Sequence, residues 1–357
     1  MGLGTILIRA DASPEIGTGH VMRCLALAQA WQDRGGNVVF AMANSMPAIQ
    51  QRLWSEHCHI VAVAQRAGSH EDAAFTRHLA QELAAQCVVL DSYGFDAEYQ
   101  RLLHHDVWTL VCLDDEGRAE NYNADIVLNQ NITATPSWYR KRRSGTQLLL
   151  GPSFCLLRRE FDPWRGFRRE TVGDAHHILV TLGGSPPAEI IRKIVESLSA
   201  AESEDLRVAI VLGGSLEHGS DQYAAGFRGE LIVHRNVLDM APLMKAADIA
   251  ISAAGSTCWE LCLLGVPMVL LDVAGNQTPV ALELEKRKCA MYAGSANSFT
   301  VSGLAETVTA LMGSPMLRER LSLRSRQLVD GLGAQRVIGA IQEMSCPAGL
   351  ALRAVHQ

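Results

Sequence analysis

The sequence predicts an α/β protein built from two doubly wound domains facing a central cleft. Three observations carry that expectation. Apolar runs of strand length alternate with helical patterns in the first half of the chain. A charged, aromatic stretch near residues 151–175 breaks the alternation, which then restarts. At 357 residues the chain also has the length of about two domains.

In the first half the strands are Thr5–Ala10, Val38–Ala43, His59–Val63, Cys87–Asp91, Trp108–Leu113 and Ile126–Leu128. Helical patterns fall between them at Val21–Arg34, Pro47–Glu56, Glu71–Gln86 and Ala97–His105. Such alternation calls for a parallel sheet covered by helices on both faces. The first helix reads as amphipathic: Val21, Cys24, Leu25, Ala28 and Trp31 recur at helical spacing, and Gly35-Gly36 supplies a stop. The segment from Gly151-Pro152 through Arg158 to Arg169 fits neither a strand nor an apolar-faced helix and reads as an interdomain connection. Beyond it come strand Ile178–Leu182, a Gly183-Gly184-Ser185 turn, a helix over Ala188–Ala200, and strands Arg207–Leu212, Leu231–His234, Ile249–Ser252 and Met268–Leu271. Helical patterns close the chain at Leu304–Met312, Pro315–Val329 and Ala334–Met344. The expected boundaries are 1–155 for the N-terminal domain, 156–175 for the connection, 176–345 for the C-terminal domain and 346–357 for a frayed tail.

Composition narrows the function classes. A hydrophobic content of 48% and a formal charge of −6 describe a globular protein and argue against a nucleic-acid-binding surface. The basic clusters at Arg140–Arg143 and Arg158–Arg169 read as solvated loop faces. No apolar stretch approaches the roughly 18 residues of a membrane span and no signal-type leader opens the sequence, so a cytoplasmic location without membrane contact is expected. Nine cysteines, odd in number and scattered, read as reduced, buried small hydrophobes. The twelve histidines include His57, His59, His104-His105 and His176-His177, which lack partners at metal-site spacing. Cys258 and Cys262 share a helix face without a second pair, so no metal site is expected.

Two stretches carry chemistry. The first strand runs through Asp11 into Gly17-Thr18-Gly19-His20 and straight into the first helix, which carries Arg23. A parallel strand delivers its carboxyl end to the edge where open α/β sheets bind ligands, and the following helix presents free N–H groups there. Gly17 and Gly19 let the backbone turn tightly and approach a ligand, and His20 changes protonation near neutral pH. A turn whose histidine only caps a helix uses the same residues. The second stretch, from Ala253 to Gln277, reads as strand, small-residue turn, short helix, strand and polar turn. Gly255-Ser256-Thr257 offers hydroxyls and free N–H groups suited to a diphosphate, and Glu260, one turn on, is positioned to accept the hydroxyls of a ribose. Asn276-Gln277 ends the next strand on the same sheet edge. Simple capping by Ser256 and Glu260 is the alternative, but it leaves the other polar strand ends unexplained.

From Ala253 through Glu260 to Gly265-Val266-Pro267 the chain resembles the nucleotide-sugar segment of MurG-type GT-B proteins, which have two Rossmann-like domains. The N-terminal run Arg9-x-Asp11, Ile16-Gly17-x-Gly19-His20 and Arg23 has narrower affinities. With Asp91-Ser92-Tyr93-Gly94-Phe95-Asp96, Leu113-Asp114-Asp115, Leu128-Asn129-Gln130-Asn131, Gly151-Pro152-x-Phe154 and Asn276-Gln277, it resembles the PseG family over most of residues 4–280. Those proteins are UDP-2,4-diacetamido-2,4,6-trideoxy-β-L-altropyranose hydrolases of pseudaminic acid biosynthesis. The resemblance implies UDP over Gly255, Ser256 and Thr257, with its ribose on Glu260. It further implies that His20 is the base activating water for inverting attack at the anomeric carbon, without a metal or other cofactor. By motif position Tyr93 and Asn276 contact the sugar, and Asp11, Gly17, Gly19, Arg23 and Gln277 are further candidate substrate-binding residues; on chemical grounds alone, Asp11 would stabilise oxocarbenium charge.

Two rival readings have their own discriminators. A GT-B glycosyltransferase would use His20 on an acceptor hydroxyl, and the catalytic residues alone do not separate it from a hydrolase. The lack of an apolar-basic patch in Ser13–Gly17 or Met46–Leu53 favours the hydrolase. A non-catalytic nucleotide-sugar-binding protein would keep the Gly255–Glu260 segment but tolerate loss of His20. A dinucleotide-dependent dehydrogenase is disfavoured, because Gly17-Thr18-Gly19-His20-Val21-Met22 lacks the third glycine of the dinucleotide fingerprint. The sequence leaves oligomeric state open.

Overall fold

The computed structural model describes residues 2–13, 16–171, 173–183, 186–201, 205–213, 223 and 227–345. Within it the chain divides into two compact units. One runs to Arg159 and takes in the chain again from Gly331, and the other is Glu160–Asp330.

In the first unit the order is β1 (Thr5–Ala10), α1 (Gly19–Gln32), β2 (Asn37–Met42), α2 (Pro47–Ser55), β3 (His59–Ala62), α3 (His70–Glu82), β4 (Ala85–Asp91), α4 (Ala97–Leu103), β5 (Thr109–Leu113), β6 (Ile126–Asn129) and β7 (Gln147–Leu150). The seven strands pair in parallel throughout, in the order β3-β2-β1-β4-β5-β6-β7. The order reverses between β1 and β4, whose registers place Ala10 beside Asp91. That switch point is where a doubly wound sheet opens a ligand crevice at its carboxyl edge. One face of the sheet packs Ile8, Val89 and Val111 against Leu25, Ala28 and Trp31 of α1. The other packs Leu7, Val88 and Leu90 against Ala80 of α3 and Tyr99 of α4.

The helix Gly333–Met344 belongs to this first unit, which corrects the expected C-terminal domain of 176–345. Its apolar stripe, Val337, Ile338 and Ile341, joins the core around α1. Close approach requires Gly333, where a methyl group would come 2.1 Å from the Cys155 carbonyl oxygen. The same packing explains why α1 is not simply amphipathic: Ala26, Leu27 and Ala30 are buried along with the face that the spacing predicted.

The second unit runs β8 (His177–Thr181), α5 (Ala188–Ser199), β9 (Arg207–Leu212), β10 (Glu230–Arg235), β11 (Ile249–Ala253), β12 (Met268–Asp272) and β13 (Met291–Ser295), with short helices Thr257–Leu264 and Thr278–Lys286 after β11 and β12. Its described strands are parallel in the order β10-β9-β8-β11-β12-β13. Its core joins Ile178, Ile210, Ile251 and Val269 to Ile191 and Ile194 of α5. The predicted turn after β8 falls partly on Gly184 and Ser185, outside the described residues.

Two edge strands, β7 and β13, escaped the sequence reading, and α3 ends sooner than its pattern implied. Ala84, at φ 45°, takes the left-handed turn more often given to glycine, so Ala85 can begin β4. The connection is built of short 3₁₀ turns at Pro152–Phe154 and Arg159–Trp164. The eight described cysteines are free and buried. No helix among the described residues is long and apolar enough to cross a membrane.

Candidate functional site

At the switch point of the first sheet, α1 begins immediately after the Gly17–Gly19 turn. Gly17 has a φ of 80° and donates its N–H to the Ser13 carbonyl at 2.8 Å, closing a tight turn that a side chain would strain. Gly19 begins the helix, and a methyl there would meet nothing within 4 Å, so the backbone is bare toward the opening. His20 and Arg23, three residues apart on α1, share a helix face and turn toward the carboxyl end of β4.

Asp91 ends β4 and is 1% exposed. His20 Nδ1 lies 2.5 Å from Asp91 Oδ1. Arg23 grips the same carboxylate with both sides of its guanidinium, Nε to Oδ2 at 2.7 Å and Nη2 to Oδ1 at 2.7 Å. Cys24 Sγ donates to Oδ2 at 3.3 Å. Burial would raise the Asp91 pKa, but Arg23 and then His20 overcome it and hold the carboxyl well below the usual carboxylate range. The Arg23 guanidinium, despite its own burial, is held above its usual range by Asp115 and Asp91.

A carboxylate with this many donors is ionised and fixed. An ionised carboxylate at this distance can only accept from Nδ1, and in the neutral ring with Nδ1 protonated Nε2 is the acceptor. Tyr93, 57% exposed, sets its ring edge-on to His20 at 5.0 Å between centroids, and its hydroxyl donates to Asp115 Oδ2 at 3.4 Å. Burial and then Asp115 push the Tyr93 phenol up, so it is a neutral donor at neutral pH. His20, Arg23, Asp91, Tyr93, Asp115 and Tyr122 contribute to the wall of a cavity of about 130 Å³.

Asp11 has a different position from the one expected. It is 2% exposed, its Oδ1 accepts the N–H groups of Ala43 and Asn44 at 2.7 and 2.9 Å, and its Oδ2 pairs with Arg9 at 2.9 Å. Arg9 in turn donates to both oxygens of Asp72. Asp11 thus ties the end of β1 to the chain after β2, with its carboxylate already committed to protein partners. Of the pair Asp114-Asp115, Asp114 closes the turn, accepting from Gly117 N–H at 2.7 Å and Tyr139 hydroxyl at 2.6 Å. Asp115 faces the site.

In the second unit, Gly255 and Ser256 form the turn after β11 and Thr257 begins the helix Thr257–Leu264. Ser256 is exposed and its side chain makes no cap bond, so plain N-capping does not account for it. Glu260 is half-buried in the first turn. Asn276 and Gln277 form the turn before Thr278–Lys286, with Gln277 Oε1 accepting from Val273 N–H at 3.0 Å. A methyl on Gly255 would lie 3.6 Å from Gln277 Nε2, so the two turns are neighbours on one sheet edge. Asp272 steadies that edge by accepting from the Thr278 hydroxyl at 2.9 Å and from the Tyr292 hydroxyl.

The crystal structure of Acinetobacter baumannii MurG superposes on 96% of this chain and all of its own at 18% identity, with a TM-score of 0.63. The fold is GT-B. The GT-B assignment accounts for two parallel α/β units in one chain, and residues 177–329 of the second match the glycosyltransferase family 28 C-terminal domain. Among curated relatives, the spore coat polysaccharide biosynthesis protein SpsG of Bacillus subtilis is 28% identical over 94% of this chain and 97% of its own. The UDP-2,4-diacetamido-2,4,6-trideoxy-β-L-altropyranose hydrolase of Campylobacter jejuni is 23% identical over 79% of this chain and 96% of its own. An uncharacterized protein of Methanocaldococcus jannaschii is 24% identical over 74% of this chain, which spans only 55% of that relative's length.

The residues that sequence reasoning missed are Asp91 and Asp115. Asp91 stands in a recognisable motif, but nothing in the linear sequence couples it to His20, 71 positions away. The available signal was topological. A strand that follows three strand–helix units in a sheet of this order lands beside the first strand, and an aspartate at its carboxyl end faces the first turn.

Proposed function

We propose that the protein hydrolyses a UDP-sugar by water attack at the anomeric carbon with inversion. Resemblance favours UDP-2,4-diacetamido-2,4,6-trideoxy-β-L-altropyranose as the substrate. The observation that carries this reading is the 2.5 Å contact between His20 Nδ1 and a buried, ionised Asp91. It supports the tautomer in which Nδ1 donates to Asp91 and Nε2 accepts a proton.

Water is the weak partner in this reaction and requires a positioned base, while UDP is a good leaving group. Nε2 takes one proton as the water oxygen bonds to the anomeric carbon. The C–O bond to the diphosphate breaks, and its electron pair leaves with UDP. The free sugar keeps the second water proton on its new hydroxyl, and His20 returns the other to solvent. In this reading the second unit binds the nucleotide: Gly255, Ser256 and Thr257 take the diphosphate at a helix start, Glu260 takes the ribose, and Asn276 and Gln277 line the same edge. Tyr93 and Asn276 contact the sugar.

The test is incubation with that UDP-sugar in ¹⁸O-water, without acceptor. The expected result is label on the anomeric oxygen of the sugar and unlabelled UDP. No release without an acceptor, but release on adding one, would replace this reading with the glycosyltransferase that the family 28 match also allows. Glu260→Ala should weaken UDP binding by about 10- to 100-fold, the range of about 1.5–3 kcal/mol for hydrogen bonds to a charged group. Titration calorimetry with UDP measures it, and unchanged affinity removes Glu260 from the ribose.

A further inference from the structure

We infer that Arg23 is a positioning residue and not a substrate contact: backed by Asp115, it clamps Asp91 so that this carboxylate stays aimed at the His20 Nδ1 proton. The inference rests on the reading of His20 as the base.

Each of the three guanidinium nitrogens donates to a protein carboxylate, and Nη2 also lies 3.2 Å from His20 Nδ1. Nε and Nη2 take the two oxygens of Asp91, and Nη1 donates to Asp115 Oδ1 at 2.6 Å. Arg23 is 8% exposed, and the side chain of Asp115 is 11% exposed. A substrate phosphate reaching this guanidinium would sit beside the two carboxylates it already holds, a like-charge arrangement that is costly at a buried site. Asp115 is itself held in place. Asn131 Nδ2 donates to its Oδ1 at 3.2 Å, and the Tyr93 hydroxyl reaches its Oδ2. The contacts close a ring through His20, Asp91, Arg23, Asp115 and Tyr93, drawn from α1, from the end of β4 and from the chain after β4 and β5.

The ring has a chemical consequence. An aspartate buried this deeply without Arg23 would favour its neutral form. Neutral Asp91 would donate to Nδ1, the imidazole proton would move to Nε2, and the base would be lost. A bidentate fork excludes that state and also stops the carboxylate from rotating away. Lysine retains the charge but lacks the fork.

Arg23→Lys is therefore expected to lower kcat for UDP-sugar hydrolysis by about 10²-fold through misalignment of the base, with KM and the UDP dissociation constant unchanged. Proton NMR gives a readout independent of turnover. The deshielded His20 Nδ1 proton, identified by its absence from His20→Asn, should move upfield or broaden in Arg23→Lys. Unchanged kcat with an unchanged Nδ1 signal overturns the clamp, and so does weakened UDP or substrate binding at constant kcat. If Arg23→Lys does not fold, Asp115→Asn leaves the Asp91 fork in place and removes only the outer counter-charge. It should lower kcat by about tenfold at constant KM, and an unaltered kcat overturns the inference. If the wild type hydrolyses no UDP-sugar while the Nδ1 signal still responds to Arg23→Lys, the hydrolase reading fails and the clamp stands. Wild-type turnover with an indifferent Nδ1 signal and kcat keeps the hydrolase and removes the clamp.

Discussion

His20→Asn is expected to lower UDP-sugar hydrolysis by about 10²- to 10⁴-fold while leaving UDP affinity unchanged, the full contribution of a positioned general base. The substitution is mild for the fold. Asparagine can still offer an N–H toward Asp91, and the glycine turn before it is untouched. It removes only the ring nitrogen that accepts the water proton. UDP binding is assigned to the second unit, so calorimetry with UDP is the control that separates lost chemistry from lost structure. Steady-state assays of His20→Asn and His20→Ala at saturating substrate measure the effect, and near-normal turnover in both would remove His20 from the mechanism.

Asp91→Asn is expected to act on both catalysis and stability. For catalysis, the amide can present an N–H to Nδ1, which flips the imidazole so that Nε2 carries the proton. A tautomer error of this kind costs about 10³- to 10⁴-fold in kcat. For stability, the substitution leaves Arg23 buried with only Asp115 as an anionic partner. Breaking a buried ion pair from one side costs about 3 kcal/mol or more, measurable by urea unfolding.

The pH dependence follows from the direction of the Asp91 shift. Its folded pKa lies below the unfolded value of about 3.9, so it contributes stability that is fully present above that value. The contribution is lost as pH falls from there through the folded pKa. Unfolding free energy of the wild type should therefore drop with acid below about pH 4, and the Asp91→Asn protein should lose part of that slope. Parallel acid slopes in the two proteins would show that Asp91 is not held ionised by its partners.

The sequence by itself determined most of the architecture. Alternating apolar runs placed β1, β2, β4, β5, β8, β9, β11 and β12 within a few residues, because central parallel strands are buried on both faces and read as unbroken aliphatic stretches. It also singled out the glycine turn before His20 and the Gly255–Glu260 segment, since tight turns and helix starts leave local signatures. The edge strand β13, Met291-Tyr292-Ala293-Gly294-Ser295, was missed because it lacks that aliphatic run, and β7 because its run, Leu148–Leu150, is only three residues long. The helix Gly333–Met344 was recognisable as a helix, but only its packing against α1 assigned it to the first unit. Asp11 and Asp91 make the same distinction within the site. Each is an aspartate at or just beyond a strand end, and local sequence gives no reason to rank one above the other. Tertiary structure decided between them, because strand order sets Asp91 beside the first turn of α1, while Arg9 and two backbone N–H groups occupy Asp11. Local propensity selects helices, strands and turns, but which charges meet across a sheet depends on strand order, and that is settled only when the whole core is buried.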